Sequence, residues 1–284
     1  MKVWTAVLVL LALPAPAPAP ALGKDQSDLM LAALVGDTAK AKELLDRGVN
    51  PNFSDPKKNG MTPLCATLAK GHRELVEALL QAKADVNLPD AHGMTPLMHV
   101  VRVDADLTHR ILGAGADLKA RDTNGMSALL WAVGSPPAAR TVPLLLAVGA
   151  DPNDKQTDGS TALMVAARHG SAEVIPLLVK AGADTHATEP KRGMTPLGVA
   201  VGTGNEKTVA AMLAAGADPN QKMQAGVTPL IMAAMTGNTR VADRLLKGGA
   251  DINLKADNGV TALAAAHSRA DTAMIAVLQA AGGK

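Results

Sequence analysis

The sequence predicts an all-α protein built from stacked helical repeats, and three observations carry this prediction. Aromatic side chains are almost absent, with two Trp, one Phe and no Tyr among 284 residues, which favours helices stacked in a thin array over one thick core. The spacing between copies of one short motif is 33, 32, 34, 34, 33 and 33 residues. That motif, Gly-x-(Thr/Ser)-(Pro/Ala)-Leu, recurs seven times, starting at Gly60, Gly93, Gly125, Gly159, Gly193, Gly226 and Gly259.

Each residue of the motif has a structural role at the start of a helix. The Thr or Ser hydroxyl is placed to accept a hydrogen bond from the first helical turn, and Pro at the next position loses no helical hydrogen bond. In the fourth copy, Thr161–Gly170 predicts a short first helix and Ala172–Lys180 a second one, which Gly182 ends in the left-handed conformation. An Asn-Gly pair suited to a tight hairpin turn precedes three copies, at Asn59, Asn124 and Asn258.

A second motif, close to Gly-Ala-Asp-x-Asn, follows each helix pair and also closes one further pair at Gly48 that lacks the opening motif. The sequence therefore predicts a single domain over residues 24–284, made of about eight helix-turn-helix units with short β-hairpin loops. The predicted units, numbered 1 to 8 from here on, lie near residues 25–59, 60–92, 93–124, 125–158, 159–192, 193–225, 226–258 and 259–284.

The 33-residue period with Thr-Pro-Leu and Gly-Ala-Asp resembles the ankyrin repeat, over about Asp25 to the C-terminus. The resemblance implies paired antiparallel helices with projecting hairpins, stacked into a curved solenoid. The family usually has His after Thr-Pro-Leu. Its replacement weakens a polar tie between turns but leaves the packing intact. The residues at this position are Cys65, Met98, Leu130, Met164, Gly198, Ile231 and Ala264.

Two neighbouring units depart from the pattern, and both ends are shortened. Unit 3 lacks the glycine between its helices, in Arg102–Asp106, and unit 4 has two prolines there, in Gly134–Arg140. We expect a local change of curvature at these units, although neutral variation in an exposed turn explains the pattern equally well. The end segments Ser27–Leu45 and His267–Lys284 are predicted to cap the stack.

Residues 1–23 predict an export signal. Lys2 is followed by the apolar run Val3–Leu13 and an Ala/Pro tract, which is the pattern of a cleaved signal peptide. Eleven apolar residues are too few to span a bilayer, so the mature chain is expected to have no membrane span. We expect cleavage after Ala21 or Gly23. The signal and a resemblance to exported bacterial ankyrin-repeat proteins together imply a location in the bacterial periplasm.

Composition and motifs argue against several functional classes. With 28 basic and 26 acidic residues, the chain has no strong field for nucleic acid or anionic lipid, and it lacks the aromatic residues on which single strands stack. No catalytic or phosphate-loop signature is present, so we expect no enzymatic activity and no cofactor. Cys65, the only cysteine, is expected to be a buried apolar residue and not a reactive thiol. The seven histidines are scattered over the units, and no metal site is expected.

The resemblance implies that hairpin tips and first helices form a concave face that binds a protein partner. Four units carry Met between the motif's Gly and Thr, which suits an adaptable apolar contact, although each Met could equally cover its own hairpin base. Copper(I) binding by these thioethers is less favoured because stacked units lie about 10 Å apart. Trp131 either anchors a partner or fills space beside the irregular turn. The predicted partner-binding residues are Met61, Ala91, His92, Met94, Thr123, Asn124, Met126, Trp131, Thr157, Asp158, Lys191, Arg192 and Met194.

The sequence thus predicts a monomeric, non-enzymatic protein-binding module of the cell envelope. Resemblance to exported bacterial relatives implies that it protects or inhibits an envelope enzyme or a toxin. Two alternatives remain open at this point: a structural spacer, which would tolerate substitution of the predicted contact residues, and a carrier of a metal or small molecule, which would need ligands that converge on one point. The identity of the partner does not follow from the residues.

Overall fold

The computed structural model describes residues 22–283, and within them every regular element is a helix. Sixteen α-helices form eight helix-turn-helix pairs, and three short 3-10 turns lie between helices, so the predicted all-α fold of eight units is confirmed. The predicted signal segment, apart from its last two residues, lies outside the described residues. Within residues 22–283, no helix is both long and apolar enough to cross a bilayer.

The helices form two layers that run along the stack. Each first helix packs against the first helices of the units before and after it, and the second helices form the other layer. The first helices are α1 Lys24–Val35, α3 Pro63–Lys70, α5 Pro96–Val100, α7 Ala128–Val133, α9 Ala162–His169, α11 Pro196–Thr203, α13 Pro229–Thr236 and α15 Ala262–Ser268. The second helices are α2 Thr38–Asp46, α4 Arg73–Gln81, α6 Ala105–Gly113, α8 Ala138–Ala147, α10 Ile175–Lys180, α12 Glu206–Ala214, α14 Thr239–Lys247 and α16 Thr272–Ala280.

The start of every repeat follows the predicted chemistry. The Thr or Ser hydroxyl of all seven motifs accepts a hydrogen bond from the backbone N–H three residues on, as Thr195 Oγ1 does from Gly198 N at 2.9 Å. The prediction for the second helix of unit 5 is wrong in its first turn. Ala172–Val174 is a 3-10 turn and α10 begins at Ile175, because Pro176 has no N–H to donate to Ala172 in an α-helix.

The hairpins are turns, each closed by at least two backbone hydrogen bonds, and they contain no strand within the described residues. Asp122 N, for example, donates to Met126 O at 3.0 Å. Neighbouring hairpins are also joined, since Ala91 N donates to Asn59 O and Thr123 N donates to His92 O, both at 2.9 Å. The tips are therefore fixed relative to one another as well as to their own helices.

The core runs as one band between the layers. The Leu of each motif is buried, and so are most residues at the position where the family usually has His: Cys65, Met98, Leu130, Met164 and Ile231. In unit 6 that position is Gly198, whose missing side chain is replaced by the Met223 thioether from the next hairpin. Apolar packing therefore takes the place of the polar tie.

An asparagine ladder joins successive units at the loops that follow the second helices. Asn153 Nδ2 donates to Gly182 O at 2.9 Å, and its Oδ1 accepts from Asp184 N at 2.8 Å. Asn52, Asn87 and Asn220 make the same pair of bonds to the unit that follows. The ladder is interrupted where Lys119 and His186 occupy the equivalent position.

Units 3 and 4, the two units with irregular turns, also have shorter first helices. Helix α5 has five residues and α7 has six, whereas α9, α11 and α13 have eight. In the layer of second helices, the Asp106 carboxylate forms ion pairs with Arg73 Nη2 at 2.9 Å and with Arg140 Nη2 at 3.2 Å. One carboxylate thus connects units 2, 3 and 4. The change of curvature expected there stays a prediction.

Both end units contain a full helix pair, with α1 twelve residues long.

Candidate partner-binding face

The hairpins and the exposed side of the first helices form one surface, which we call the inner face; it corresponds to the predicted concave face. Two adjoining cavities lie on it. The central cavity, of about 380 Å³, is formed mainly by units 3 and 4 and is lined by Arg102, Met126, Trp131, Ser135 and His169 among others. The second cavity, of about 420 Å³, is lined by Arg168, Lys191, Arg192, Met194 and Thr203 among others. Because Arg168 and His169 are consecutive residues of α9, the two cavities are neighbours.

A buried aspartate fixes the tryptophan of the central cavity. Asp122 Oδ1 accepts hydrogen bonds from Asn124 N at 2.8 Å and Met126 N at 2.9 Å, which shapes the hairpin of unit 4. Its Oδ2 accepts from the Trp131 indole Nε1 at 3.0 Å. One carboxylate therefore ties the hairpin to the first helix and locks the orientation of the indole.

Unit 3 repeats this arrangement with a histidine. Asp90 Oδ1 accepts from His92 N and Met94 N, and its Oδ2 lies 3.0 Å from His99 Nε2. Burial lowers the pKa of His99; the Asp90 carboxylate opposes this change and the positive charge of Arg102 adds to it. His99 is therefore a neutral donor to Asp90 near pH 7.

Arg102 lies over the Trp131 ring, with its guanidinium carbon 4.7 Å from the ring centroid. This is the geometry of a cation–π contact. The Trp131 backbone oxygen also accepts a hydrogen bond from Ser135 Oγ at 2.6 Å, which holds the irregular turn of unit 4. Trp131 is half-buried, packs against the core and lines the cavity. It thus combines a packing role with an exposed edge.

Gly134, in the turn between the two helices of unit 4, leaves room for the His169 ring beside the cavity. A Cβ on Gly134 would lie 3.1 Å from the His169 ring, so glycine leaves the space in which His169 packs. Gly134 has a negative φ of −87°, unlike the left-handed glycines that end α3, α9, α11 and α13. Glycine at this position gives the ring room and does not serve a left-handed backbone conformation.

The second cavity is bordered by an acid held by backbone groups. Glu189 accepts from Lys191 N at 2.7 Å, Arg192 N at 2.6 Å and Met194 N at 3.2 Å. Burial alone would raise the pKa of Glu189, but these backbone N–H groups outweigh it and lower the pKa below its ordinary value. The Lys191 and Arg192 side chains are exposed beside it, and Arg168 Nη2 donates to Ser160 Oγ at 3.1 Å.

The predicted contact residues divide into two groups by exposure. The methionines Met61, Met94, Met126 and Met194 are all half-buried. Met61, Met94 and Met126 pack against the core, while Met126 and Met194 line the two cavities. The predicted tip residues are all exposed: Ala91, His92, Thr123, Asn124, Thr157, Asp158, Lys191 and Arg192. That these residues bind a partner stays a prediction.

Sequence reasoning missed the polar cluster behind Trp131. Arg102, Asp90, His99, Asp122 and His169 were not among the predicted site residues. The signal was available in the alignment of the units, because only units 3 and 4 have Asp three residues before the motif glycine, and both have a ring-bearing donor six residues after it. The sequence could not place Arg102, since it lies in the turn where unit 3 departs from the repeat.

Two further expectations concern cysteine and metals. Cys65 is fully buried, so the prediction of a buried core residue is confirmed, and burial raises the pKa of its thiol to about 12. Within residues 22–283, no three His, Cys, Asp or Glu side chains are grouped so that they could hold a metal ion.

Comparisons with known proteins agree with this architecture. The family model for ankyrin repeats (3 copies) matches residues 29–122, 101–189, 129–223 and 212–282. The crystal structure of the ankyrin repeat domain of Bcl-3, described as a unique member of the IkappaB protein family, is similar with a TM-score of 0.65 and 25% identity. The match covers 89% of this chain and 97% of that one.

Curated relatives match over single stretches only. The chain is 37% identical over 70 residues to an ankyrin repeat-containing protein of Schizosaccharomyces pombe, a match that covers 25% of this chain and 33% of the relative. It is 37% identical over 83 residues to the neurogenic locus notch homolog protein 4 of Homo sapiens, covering 29% of this chain and 4% of the relative. The aligned parts thus span a third or less of these eukaryotic relatives. On the family match across its length, the chain belongs to the ankyrin repeat family of protein–protein interaction modules.

Proposed function

We propose that this protein binds one protein partner through its inner face and acts in the cell envelope, in the periplasm of a bacterium. Binding there would protect or inhibit an envelope enzyme or a toxin. The observation that carries the binding proposal is the central cavity of units 3 and 4, where Arg102 lies on a Trp131 ring that Asp122 holds in place. The proposal for location rests on the signal pattern of residues 1–23.

The central cavity has the properties of a binding hot spot. Trp and Arg are the residues that most often dominate interface energies, and both are preorganised here by neighbours within the fold. Exposed tip residues lie on the hairpins of units 3, 4 and 5 of the same face. A rigid anchor with a variable exposed rim is the arrangement that gives an interface both affinity and selectivity.

A capture experiment tests the binding proposal. The full chain, with an affinity tag at its C-terminus, is expected to enrich one protein from the envelope fraction of the source organism. A variant with Thr123→Ala and Lys191→Ala, both at exposed tips, is expected to lose it. The matched control carries Thr239→Ala and Lys207→Ala on the second helices, and is expected to capture as the unchanged chain does.

The alternatives give different results in the same experiment. Equal enrichment by all three baits would reject the inner face as the binding surface, and no enrichment would favour a spacer. The envelope location is tested separately by fractionation and by the mass of the N-terminus. A chain that keeps residues 1–23 and remains in the cytoplasm would contradict it.

A further inference from the structure

The cations that line the inner face form no ion pair within residues 22–283. Arg102, Lys191 and Arg192 form no ion pair with any residue among 22–283, and Arg168 donates only to the Ser160 hydroxyl. They border two adjoining cavities and face solvent there. By contrast, four of the five arginines on the second helices are paired with carboxylates: Arg73, Arg110, Arg140 and Arg244.

The acids of the inner face already have donors. Asp158, which lines the second cavity, accepts from Ser160 N at 2.8 Å; burial acts to raise its pKa, and the hydrogen bonds from Ser160 and the positive charge of Arg168 lower it. Asp90 and Asp122 are buried and each accepts two backbone N–H bonds and one ring N–H bond. Glu189 accepts three backbone N–H bonds. Because these carboxylates are committed to the hairpins, they form no ion pair with Arg102, Lys191 or Arg192. Asp158 offsets part of the charge of Arg168, and the surface keeps an excess of positive charge.

Arg102 is held in a geometry that suits a carboxylate. Trp131 covers one face of the guanidinium at 4.7 Å, and the edge that carries the N–H groups has no acceptor within the described residues. A planar guanidinium fixed in this way loses little side-chain entropy on binding and offers two parallel N–H donors. A lysine at this position would supply charge but no such fork.

The spacing of the cations fits an extended segment. Arg102 follows the first helix of unit 3, Arg168 ends that of unit 5, and Arg192 lies at the tip that leads into unit 6. Units stack at about 10 Å, so the two ends lie roughly 20–30 Å apart. An extended chain covers that distance in about six to nine residues at ~3.3 Å per residue.

We propose that the two cavities together bind an acidic, extended peptide segment of the partner, with one carboxylate on the Arg102 guanidinium and a second near Arg168 and Arg192. This inference rests on the proposed function and adds the chemistry of the partner to it. Charge complementarity is the argument for the occupant: the free groups on this surface are cationic, and the acids are already bound.

Peptide selection tests this assignment without knowledge of the partner. A displayed library of random 12-residue peptides is selected on the full chain, and the enriched peptides are measured by fluorescence anisotropy. We expect an excess of Asp and Glu over the starting library, and affinity that falls as salt is raised. Arg102→Gln is expected to weaken binding by about tenfold, the loss of one charge-assisted hydrogen-bonded pair. Arg102→Lys is expected to recover only part of it.

The matched control is Arg240→Gln, which removes one unpaired arginine from α14 on the outer layer and should leave the affinity unchanged. Peptides without an acidic excess, peptides insensitive to Arg102→Gln, or no enrichment at all would each overturn the assignment. So would a labelled 12-nucleotide single strand that binds more tightly than the selected peptides. If the capture experiment meanwhile yields a protein that depends on Thr123 and Lys191 but not on Arg102, the proposed function stands and this inference fails.

Discussion

Units 3 and 4 differ from units 6 and 7 in how a hairpin is fastened to its first helix. In units 3 and 4 a buried aspartate joins the two through a ring N–H, from His99 or Trp131. In unit 7 the equivalent hairpin residue is Met223, which packs against Gly198 in the first helix of the preceding unit. The regular units therefore use apolar contact where the irregular units use a polar bridge.

The difference follows from the turns between the helices. Units 6 and 7 end their first helices at Gly204 and Gly237, both left-handed, and each is covered by a polar residue of the next unit. Units 3 and 4 have no such glycine, and their first helices are shorter by two or three residues. The central cavity lies beside these two shorter helices, and the aspartate bridge of unit 4 fixes Trp131 in its wall.

The largest effect is expected from removing the bridge of unit 4. Asp122→Ala leaves two hairpin N–H groups and the Trp131 indole without their acceptor, so we expect a loss of about 3 kcal/mol in the free energy of unfolding. The matched variant is Glu189→Ala, which also removes three accepted bonds but from a half-buried position, and should cost about 1 kcal/mol. Urea unfolding followed by circular dichroism measures both. Equal losses would show that the bridge is no more than a hairpin cap.

The next contrast exchanges two glycines for alanine. In unit 6, Gly198→Ala forces a Cβ against the Met223 sulfur, and we expect a loss of about 1–2 kcal/mol from overpacking. In unit 4, Gly134→Ala meets only the His169 ring at 3.1 Å and needs no left-handed backbone. Its stability should therefore change by less than about 0.5 kcal/mol.

The same two variants are expected to distinguish an effect on folding stability from an effect on peptide binding. Because His169 lines the central cavity, Gly134→Ala is expected to weaken the selected peptides although it leaves unfolding nearly unchanged. Gly198→Ala should have the reverse pattern. A stable Gly134→Ala variant with unchanged peptide affinity would indicate that His169 does not contribute to the binding surface.

The sequence was sufficient for features that recur in most units. Period, capping hydroxyls and stop glycines depend on residues i to i+4, and the structure contains them as predicted. The aspartate bridges could have been found because both lie at fixed offsets from the motif. The contact between Arg102 and Trp131 could not, since it crosses between two units that each break the repeat. The 3-10 turn before α10 could have been predicted from Pro176 alone.

A substitution at the contact between units 3 and 4 is expected to increase the stability of the fold. Lys119 stands where Asn87 and Asn153 bond to the following unit, and its backbone N–H makes the same local bond to an aspartate, Asp117 Oδ1, at 2.8 Å. Lys119→Asn is expected to restore the ladder and to stabilise the chain by about 1 kcal/mol, while Asn153→Ala should cost about as much. Thermal unfolding of the two variants measures both changes. No gain from Lys119→Asn would mean that units 3 and 4 are not spaced as the regular units are.

The smallest expected effect is a difference between the two aspartate bridges in how folding stability depends on pH. Burial, assisted by the positive charge of Arg102, lowers the pKa of His99, whereas Asp90 acts to raise it. The unfolded chain therefore takes up the proton first as pH falls below the ordinary imidazole pKa of about 6.5. Folding stability should decline from there down to the lowered pKa of the folded state. His99→Gln should remove this part of the decline, and Trp131→Phe should not, because an indole N–H does not titrate in this range. Identical stability profiles for the unchanged chain and His99→Gln between pH 7.5 and 5 would show that Asp90 compensates fully for burial, and the two bridges would then be equivalent in charge as well as in geometry.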